Sequence, residues 1–379
     1  MRKRLLHRAV ALLLVLCAIE LISFIFFSVF RDRFGLRNPH KYTIAQADIP
    51  KLKQVYDFSL GWKKRFPTPF GERPRRMEYG RPLMAAFGDS FTHCDQVGDA
   101  ETWEEQLAEM LSADIYNFGV TGYGTDQAYI RFREELQKVG TPIVALGLIT
   151  ENINRIVNRY RPFYYDRSGY TLTKPRFILR GGTRELIENP VRNENEIDKL
   201  LDPKFLESVG ENDWWFRRDE TPALSFPYTA ILLKQRFWLE IFHRRGGGQI
   251  DDVTPQPHAN LWANPAVRNL MFSILDSFME ESKAAGKASF INLLPFREQV
   301  LAQMQGRNPK NIAVLCSYCQ FRGYPCFNGA AALAKHARTQ EELGKLFNVH
   351  FTPLGNKIIA GELHAFLIDQ KLIDQPVNK

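Results

Sequence analysis

Apolar positions along this chain fall into three regimes. From Ala9 to Phe30 only Glu20, Ser23 and Ser28 are clearly polar among 22 residues. As a helix rising about 1.5 Å per residue, that run spans about 33 Å, close to the thickness of a bilayer's hydrocarbon layer. It continues through Phe24, Phe26 and Phe27 into Arg31-Asp32-Arg33 with no small-residue cleavage site, which favours an uncleaved transmembrane anchor over a signal peptide. Glu20 is the awkward residue, because an ionisable group inside a membrane is costly. Residues 31–80 are polar, with interspersed aromatics and prolines, and read as a tether that becomes ordered against a following domain.

From Pro82 the pattern changes to short apolar runs that alternate with helical periodicity. Leu83–Phe87, Ile115–Phe118, Ile143–Leu148 and Ala288–Leu294 are four such runs, three of them closed by or containing glycine, and each reads as a buried strand. Thr102 and Glu105 form a capping box before a helix carrying Trp103, Leu107, Met110 and Leu111. Asp126–Gln137 reads as a second helix. Leu270, Met271, Ile274, Leu275, Phe278 and Met279 mark a third at 3.6 spacing, and Gly355–Asp369 reads as the closing one. Strands alternating with helices predict an α/β fold with a central parallel sheet covered on both faces. A large insertion at about 155–264 interrupts it, with Tyr160–Tyr165, Trp214–Arg218 and the Gly246–Gly248 loop.

Charge adds less than it first suggests. The chain of 379 residues has a net charge of +8, but residues 1–37 hold seven basic and two acidic residues, so only +3 belongs to the remainder. No long basic run occurs there, and a nucleic-acid partner is not indicated. Four basic residues and the terminal amine precede the apolar run, against three basic residues and Asp32 after it. That bias predicts residues 1–8 in the cytoplasm, a single pass over 9–30, and the main domain outside, periplasmic in a Gram-negative cell. Outside the cytoplasm, Cys94, Cys316, Cys319 and Cys326 permit two disulfides. Buried thiols, or a thiolate metal site with His336 as a fourth ligand, are the alternatives.

The chemistry gathers at strand ends. The first strand runs into Gly88-Asp89-Ser90-Phe91-Thr92, where a serine after a buried strand presents its hydroxyl at the mouth of the sheet. The second ends in Asn117-Phe118-Gly119-Val120-Thr121-Gly122-Tyr123-Gly124, with glycines that let backbone N–H groups approach a ligand. The third is followed by Thr150-Glu151-Asn152, and His350 stands just before the closing helix. In that order, these blocks resemble the SGNH (GDSL-like) hydrolase superfamily over about residues 80–155 and 285–370.

The resemblance implies an SGNH-type three-layer sandwich over 81–370, with Ser90 as nucleophile and His350 as general base. The oxyanion hole would be the Ser90 and Gly122 N–H groups and the Asn152 side chain. No metal or cofactor is required. Two departures stand out. The family's usual aspartate, three residues before the histidine, is replaced by Phe347, and Glu151 and Ile153 flank Asn152 where Gly-Asn-Asp is usual. A Ser–His dyad is therefore expected, with His93 as a local alternative base.

Anchored relatives are associated with O-acetylation or deacetylation of surface polysaccharide. The resemblance thus implies an esterase or O-acyltransferase acting on acylated carbohydrate or another ester, with a membrane acyl-transfer partner conceivable. The aromatic and arginine content of the insertion suits sugar rings and acidic groups. The alternatives are a catalytically silent polysaccharide-binding or assembly component, motivated by Phe347, and a lipid esterase.

Overall fold

A computed structural model of the protein describes residues 2–30, 42–63, 66–165, 169–216, 226–233 and 261–374. They divide into two compact units, Met1–Ile49 with Asp198–Asp251, and Pro50–Ile197 with Asp252–Lys379. The first contains the helix Arg2–Val29, of which Leu6–Val29 is long and apolar enough to cross a membrane. Glu20 on this helix accepts a hydrogen bond from the Tyr228 backbone N–H (2.6 Å) and another from the Thr229 hydroxyl. The Phe24 and Tyr228 rings meet at 4.9 Å. The carboxylate at the apolar helix thus has partners supplied from the insertion.

The second unit opens with a small antiparallel pair, β1 (Tyr56–Asp57) and β2 (Gly61–Trp62). Strands β3 (Pro82–Phe87), β4 (Asp114–Asn117) and β5 (Ile143–Leu148) follow. A hairpin of β6 (Arg176–Arg180) and β7 (Thr183–Ile187) lies in the insertion, and β8 (Ala288–Leu293) and β9 (Cys326–Asn328) complete the set. The central five-stranded sheet has the order β4-β3-β5-β8-β9 with every pair parallel. Right-handed crossovers then place the helix Trp103–Leu111 on one face, and Thr125–Glu135 and Pro265–Ala284 on the other. The packing agrees: Trp103–Leu111 lies against the closing helix Pro353–Asp369, and Thr125–Glu135 against Pro265–Ala284. Cover on both faces explains why β4 and β5 are buried at every position and carry no polar alternation. The α/β architecture expected from the chain's periodicity is present.

The structure adds detail to several sequence expectations. Within the segment read as a tether that orders against the domain, 31–80, residues from Pro50 onward belong to the sheet-bearing unit. Trp62 is buried and donates from Nε1 to Thr121 O (3.0 Å), and Gln127 Nε2 donates to Leu60 O (2.6 Å). Two-residue strands carry no detectable period, so only the tertiary contacts reveal them. Strand β9 is missed because it is three residues long and starts with Cys326, which suggests other chemistry. Of the readings left open for the cysteines, the structure has the free thiols: all five are unpaired, with Cys94 in the core. His336 Nε2 is 2.8 Å from Glu362 Oε1, and no metal-holding group of His, Cys, Asp or Glu is found among the described residues. Arg217, Arg218 and Gly246–Gly248 lie outside the described residues.

One packing feature governs the end of the sheet. The short helix Ser90–His93 is pressed onto the strand ends so closely that an added Cβ at Gly88 or at Gly147 would stand 2.1 Å from Thr92 Oγ1. A Cβ at Gly119 would stand 2.2 Å from the His93 backbone N. Because that clash is with backbone, it cannot be relieved by a rotamer change. Gly119→Ala is expected to cost about 1–3 kcal/mol, as overpacking does, with a lower midpoint in urea unfolding. A change within about 0.5 kcal/mol, typical of an unconstrained surface site, would contradict this close contact.

Candidate active site

The helix Ser90–His93 starts where β3 stops. Asp89 caps it, its Oδ1 accepting from Phe91 N (2.8 Å), which places Ser90 in the first turn with its side chain facing outward from the sheet edge. In a sheet of this order the crevice between β3 and β5 is the topological switch point, where helices diverge to opposite faces and leave room for a ligand. Ser90 stands at the carboxyl end of β3, and Thr150–Asn152 follows that of β5.

Arg73, in the segment first read as a tether, holds the loop beyond Ser90. Its guanidinium donates to the carbonyls of His93, Cys94 (2.9 Å) and Val97 (2.7 Å) and pairs with Asp99 (2.8 Å). Within this loop Cys94 (φ 57°) and Gln96 (φ 77°) occupy the left-handed region, which non-glycine residues adopt only when surroundings impose it. The strain projects Gln96 toward the closing helix.

His350 comes from a tight loop between the helices Gln340–Leu346 and Pro353–Asp369. Phe347 and Phe351 bridge that loop, their rings 5.2 Å apart, and Asn348 N donates to His350 O (2.8 Å). The Phe91 ring supports the imidazole at 4.8 Å. His350 Nε2 lies 2.9 Å from Ser90 Oγ, while Nδ1 donates to Gln96 Oε1 (3.3 Å). Gln96 Oε1 also accepts from the His350 backbone N–H at 3.0 Å. An amide oxygen only accepts, so the ring proton is held on Nδ1 and the Nε2 lone pair faces the serine. Phe347, where the resemblance led an acid to be looked for, is buried, and the group that contacts Nδ1 is Gln96.

Burial pushes the His350 imidazole below its ordinary value, with Asp95 opposing and Arg155 and His93 adding to the effect. The ring is therefore neutral near pH 7, as a base must be. Burial pushes Asp95 up, but hydrogen bonds from His93 and Thr121 outweigh it and hold the carboxyl below its usual range. Asp95 Oδ1 is 2.8 Å from His93 Nδ1 and accepts from Thr121 Oγ1 (2.8 Å). His93 itself is buried, stacked on Phe66 at 6.1 Å and engaged with Asp95, whereas the imidazole in contact with Ser90 is that of His350.

Ser90, Gly122 and His350 line one cavity of about 340 Å³. Gly122 has φ +83°, a conformation strained for any residue with a Cβ. No hydrogen-bond partner is found for the Ser90 and Gly122 backbone N–H groups among the described residues. Asn152 is placed differently from a free oxyanion donor. Its Nδ2 donates to Asp89 Oδ2 (2.8 Å), tying the turn after β5 to the residue beside the nucleophile, and Oδ1 has no partner among the described residues. One amide N–H of Asn152 is left over.

The far wall of this cavity draws on the Tyr160–Tyr165 stretch that the sequence singled out, together with Glu151 and Arg155, which it did not pair. Glu151, Arg155, Arg161 and Tyr164 form a polar cluster there, with Tyr165 and Tyr170 beside it. Glu151 pairs with Arg155 and accepts from the Tyr164 hydroxyl. Arg155 Nη1 donates to Tyr123 O (2.8 Å) and Arg161 Nη1 to Gly122 O (2.8 Å). Burial raises Glu151, but Arg155 and Arg161 more than offset it and keep the carboxylate ionised. The Glu151/Arg155 spacing of four residues was the available signal, though it also suits any exposed helix.

No family model and no curated protein matches the chain. Among solved structures, a putative G-D-S-L lipolytic protein from Desulfitobacterium hafniense is similar at 12% identity and TM-score 0.36, covering 76% of this chain and 100% of its own. A catalytic mutant of an acetylxylan esterase from Geobacillus stearothermophilus reaches 12% identity and TM-score 0.37, covering 77% and 96% respectively. An alpha/beta hydrolase from the metagenome of Lake Arreo, Spain, reaches 11% and 0.39, covering 76% and 97%. These are loose likenesses, and the chemistry of the cavity stands on its own geometry.

Gln96→Glu would set a carboxylate against Nδ1, and an opposite charge that close favours the imidazolium. The His350 pKa, read by NMR titration of the ring, is expected to rise by about 1–3 units. Gln96→Ala should instead leave it low. An unchanged value in Gln96→Glu would show that residue 96 does not face the ring.

Proposed function

We propose that this protein is a serine esterase or O-acyltransferase of the SGNH type, working through a Ser90–His350 acyl-enzyme. The observation that carries the reading is the 2.9 Å contact between Ser90 Oγ and the unprotonated Nε2 of His350. A serine hydroxyl is a weak nucleophile until a neighbouring base takes its proton. Here Ser90 Oγ attacks the ester carbonyl carbon as its proton passes to His350 Nε2. The developing oxyanion is held by the free N–H groups of Ser90 and Gly122, with the spare Asn152 N–H as a third donor. His350 then protonates the departing alcohol oxygen, leaving the acyl group on Ser90. Water or an acceptor hydroxyl, deprotonated by the same imidazole, attacks that acyl group and regenerates the serine.

Gln96 aligns His350 without neutralising the imidazolium, and Asp95 supplies negative charge nearby through space. The dyad thus has the orienting element of a triad but a weaker electrostatic one. We assign the substrate to acyl, specifically acetyl, esters of a surface polysaccharide. Support comes from the tyrosine-lined wall, which suits the apolar faces of sugar rings, and from a cavity of about 340 Å³ that admits a monosaccharide-sized group. The N-terminal apolar helix supports single-pass anchoring, and its flanking charges support an extracytoplasmic domain.

Detergent-solubilised full-length protein is expected to hydrolyse 4-nitrophenyl acetate. Ser90→Ala and His350→Ala should each lower kcat/KM by at least about 10³-fold, and the double variant by little more, because the pair acts as a unit. Activity indifferent to both substitutions would sink the assignment. Activity in neither wild type nor variants, together with retained polysaccharide binding, would favour a silent binding component.

A further inference from the structure

The charges on the cavity wall do not cancel. Among its lining residues Arg155 and Arg161 face a single carboxylate, Glu151. Glu151 is already occupied by Arg155 and by the Tyr164 hydroxyl. Arg161 makes one hydrogen bond, from Nη1 to Gly122 O, and no protein partner is found for its other donors among the described residues. A guanidinium carries five N–H donors, so most of this one remains available to a ligand. Its desolvation is visible in its basicity, which burial and the neighbouring Arg155 push down to about 10 against the pull of Glu151. A cation held under those conditions gains from an incoming anion more than an exposed one would.

Position adds to this. Arg161 is tied to the carbonyl of Gly122, whose N–H is the proposed oxyanion donor, and both line the cavity that holds Ser90. Tyr164, Tyr165 and Tyr170 flank it with ring surface. A sugar with its apolar face on the tyrosines would set a ring carboxylate within range of the guanidinium. Planar guanidinium and carboxylate groups match in a two-point hydrogen-bonded fork.

We infer that Arg161 is a specificity residue for an acidic carbohydrate, so that the acyl group is removed from or placed on a sugar unit bearing a carboxylate. This deepens the reading of the cavity as an ester site and rests on it. Arg155 has the different task of holding Glu151 and the Tyr123 carbonyl, and its Nε is buried without a partner.

The test uses acetylated methyl glucuronoside and its methyl ester, which share a shape and differ in charge. Acetate release by the full-length protein should favour the free acid by about 10- to 100-fold in kcat/KM, the range of a charge-assisted hydrogen-bonded pair. Arg161→Gln should collapse that ratio to about 1, mainly through KM, and Arg161→Lys should restore part of it. A ratio near 1 in the wild type, with hydrolysis still dependent on Ser90, would overturn the inference and leave the esterase reading intact. A second arm needs no turnover: Ser90→Ala protein is titrated calorimetrically with oligogalacturonate and with its methyl-esterified form. Preference for the charged form that Arg161→Gln removes would support the acidic subsite even if no esterase activity were found. Equal or absent binding of both forms would overturn it.

Discussion

The active-site end of this molecule depends on how closely the Ser90–His93 turn can approach the sheet. Thr92 is wedged between the glycines that end β3 and lie within β5, and His93 rests on the backbone of Gly119 beyond β4. Only where three consecutive sheet neighbours lack side chains can a helix begin this near their carboxyl ends. Asn117 locks the arrangement, its Nδ2 donating to Thr92 O (2.7 Å) while its Oδ1 accepts from Gly119 N (2.9 Å). The serine hydroxyl is thereby fixed at the mouth of the crevice before any ligand arrives. Such preorganisation is what makes fixed donors effective, since no reorganisation is needed when charge develops.

From that anchored turn the rest of the site is built by contacts remote in sequence. Arg73 clamps the strained loop after Ser90, and the loop in turn presents Gln96 to His350, 254 residues away. The Phe91 ring packs on both His350 and Phe351, so the neighbour of Ser90 helps to position the imidazole. A carboxamide against Nδ1 fixes the tautomer without bringing a charge. The half-buried imidazole, held below its ordinary basicity, fits that arrangement: with no adjacent anion on Nδ1, desolvation dominates its protonation.

The far wall of the cavity follows a different logic. Its ionic groups are in sequence neighbours, Glu151, Arg155 and Arg161, carried on the turn and short helices that follow β5. Glu151 and Arg155 neutralise each other and brace the wall, whereas Arg161 is left facing the space that a ligand would fill. The Ser90 turn thus comes from the ends of the sheet, and the charged wall of the same cavity from the start of the insertion.

Much of this was legible in the sequence. Short apolar runs, three of them closed by or containing glycine, marked four of the five sheet strands, because burial on both faces demands uninterrupted apolar residues and close helix contacts demand glycine. Gly88-Asp89-Ser90, the Asn117–Gly124 block and His350 pointed to one end of the sheet for the same reason. The apolar run after Ala9 was evident from length alone. What only the tertiary structure decided were contacts with no local period. Trp62 and Arg73 bonded into the sheet-bearing unit, Gln96 met His350 Nδ1, Asn152 turned to Asp89, and the Tyr228 and Thr229 N–H groups met Glu20. Each depends on a hydrogen bond between residues far apart in the chain. Sequence periodicity records which face of an element is buried, and it carries no record of which distant polar atom will complete a hydrogen bond there.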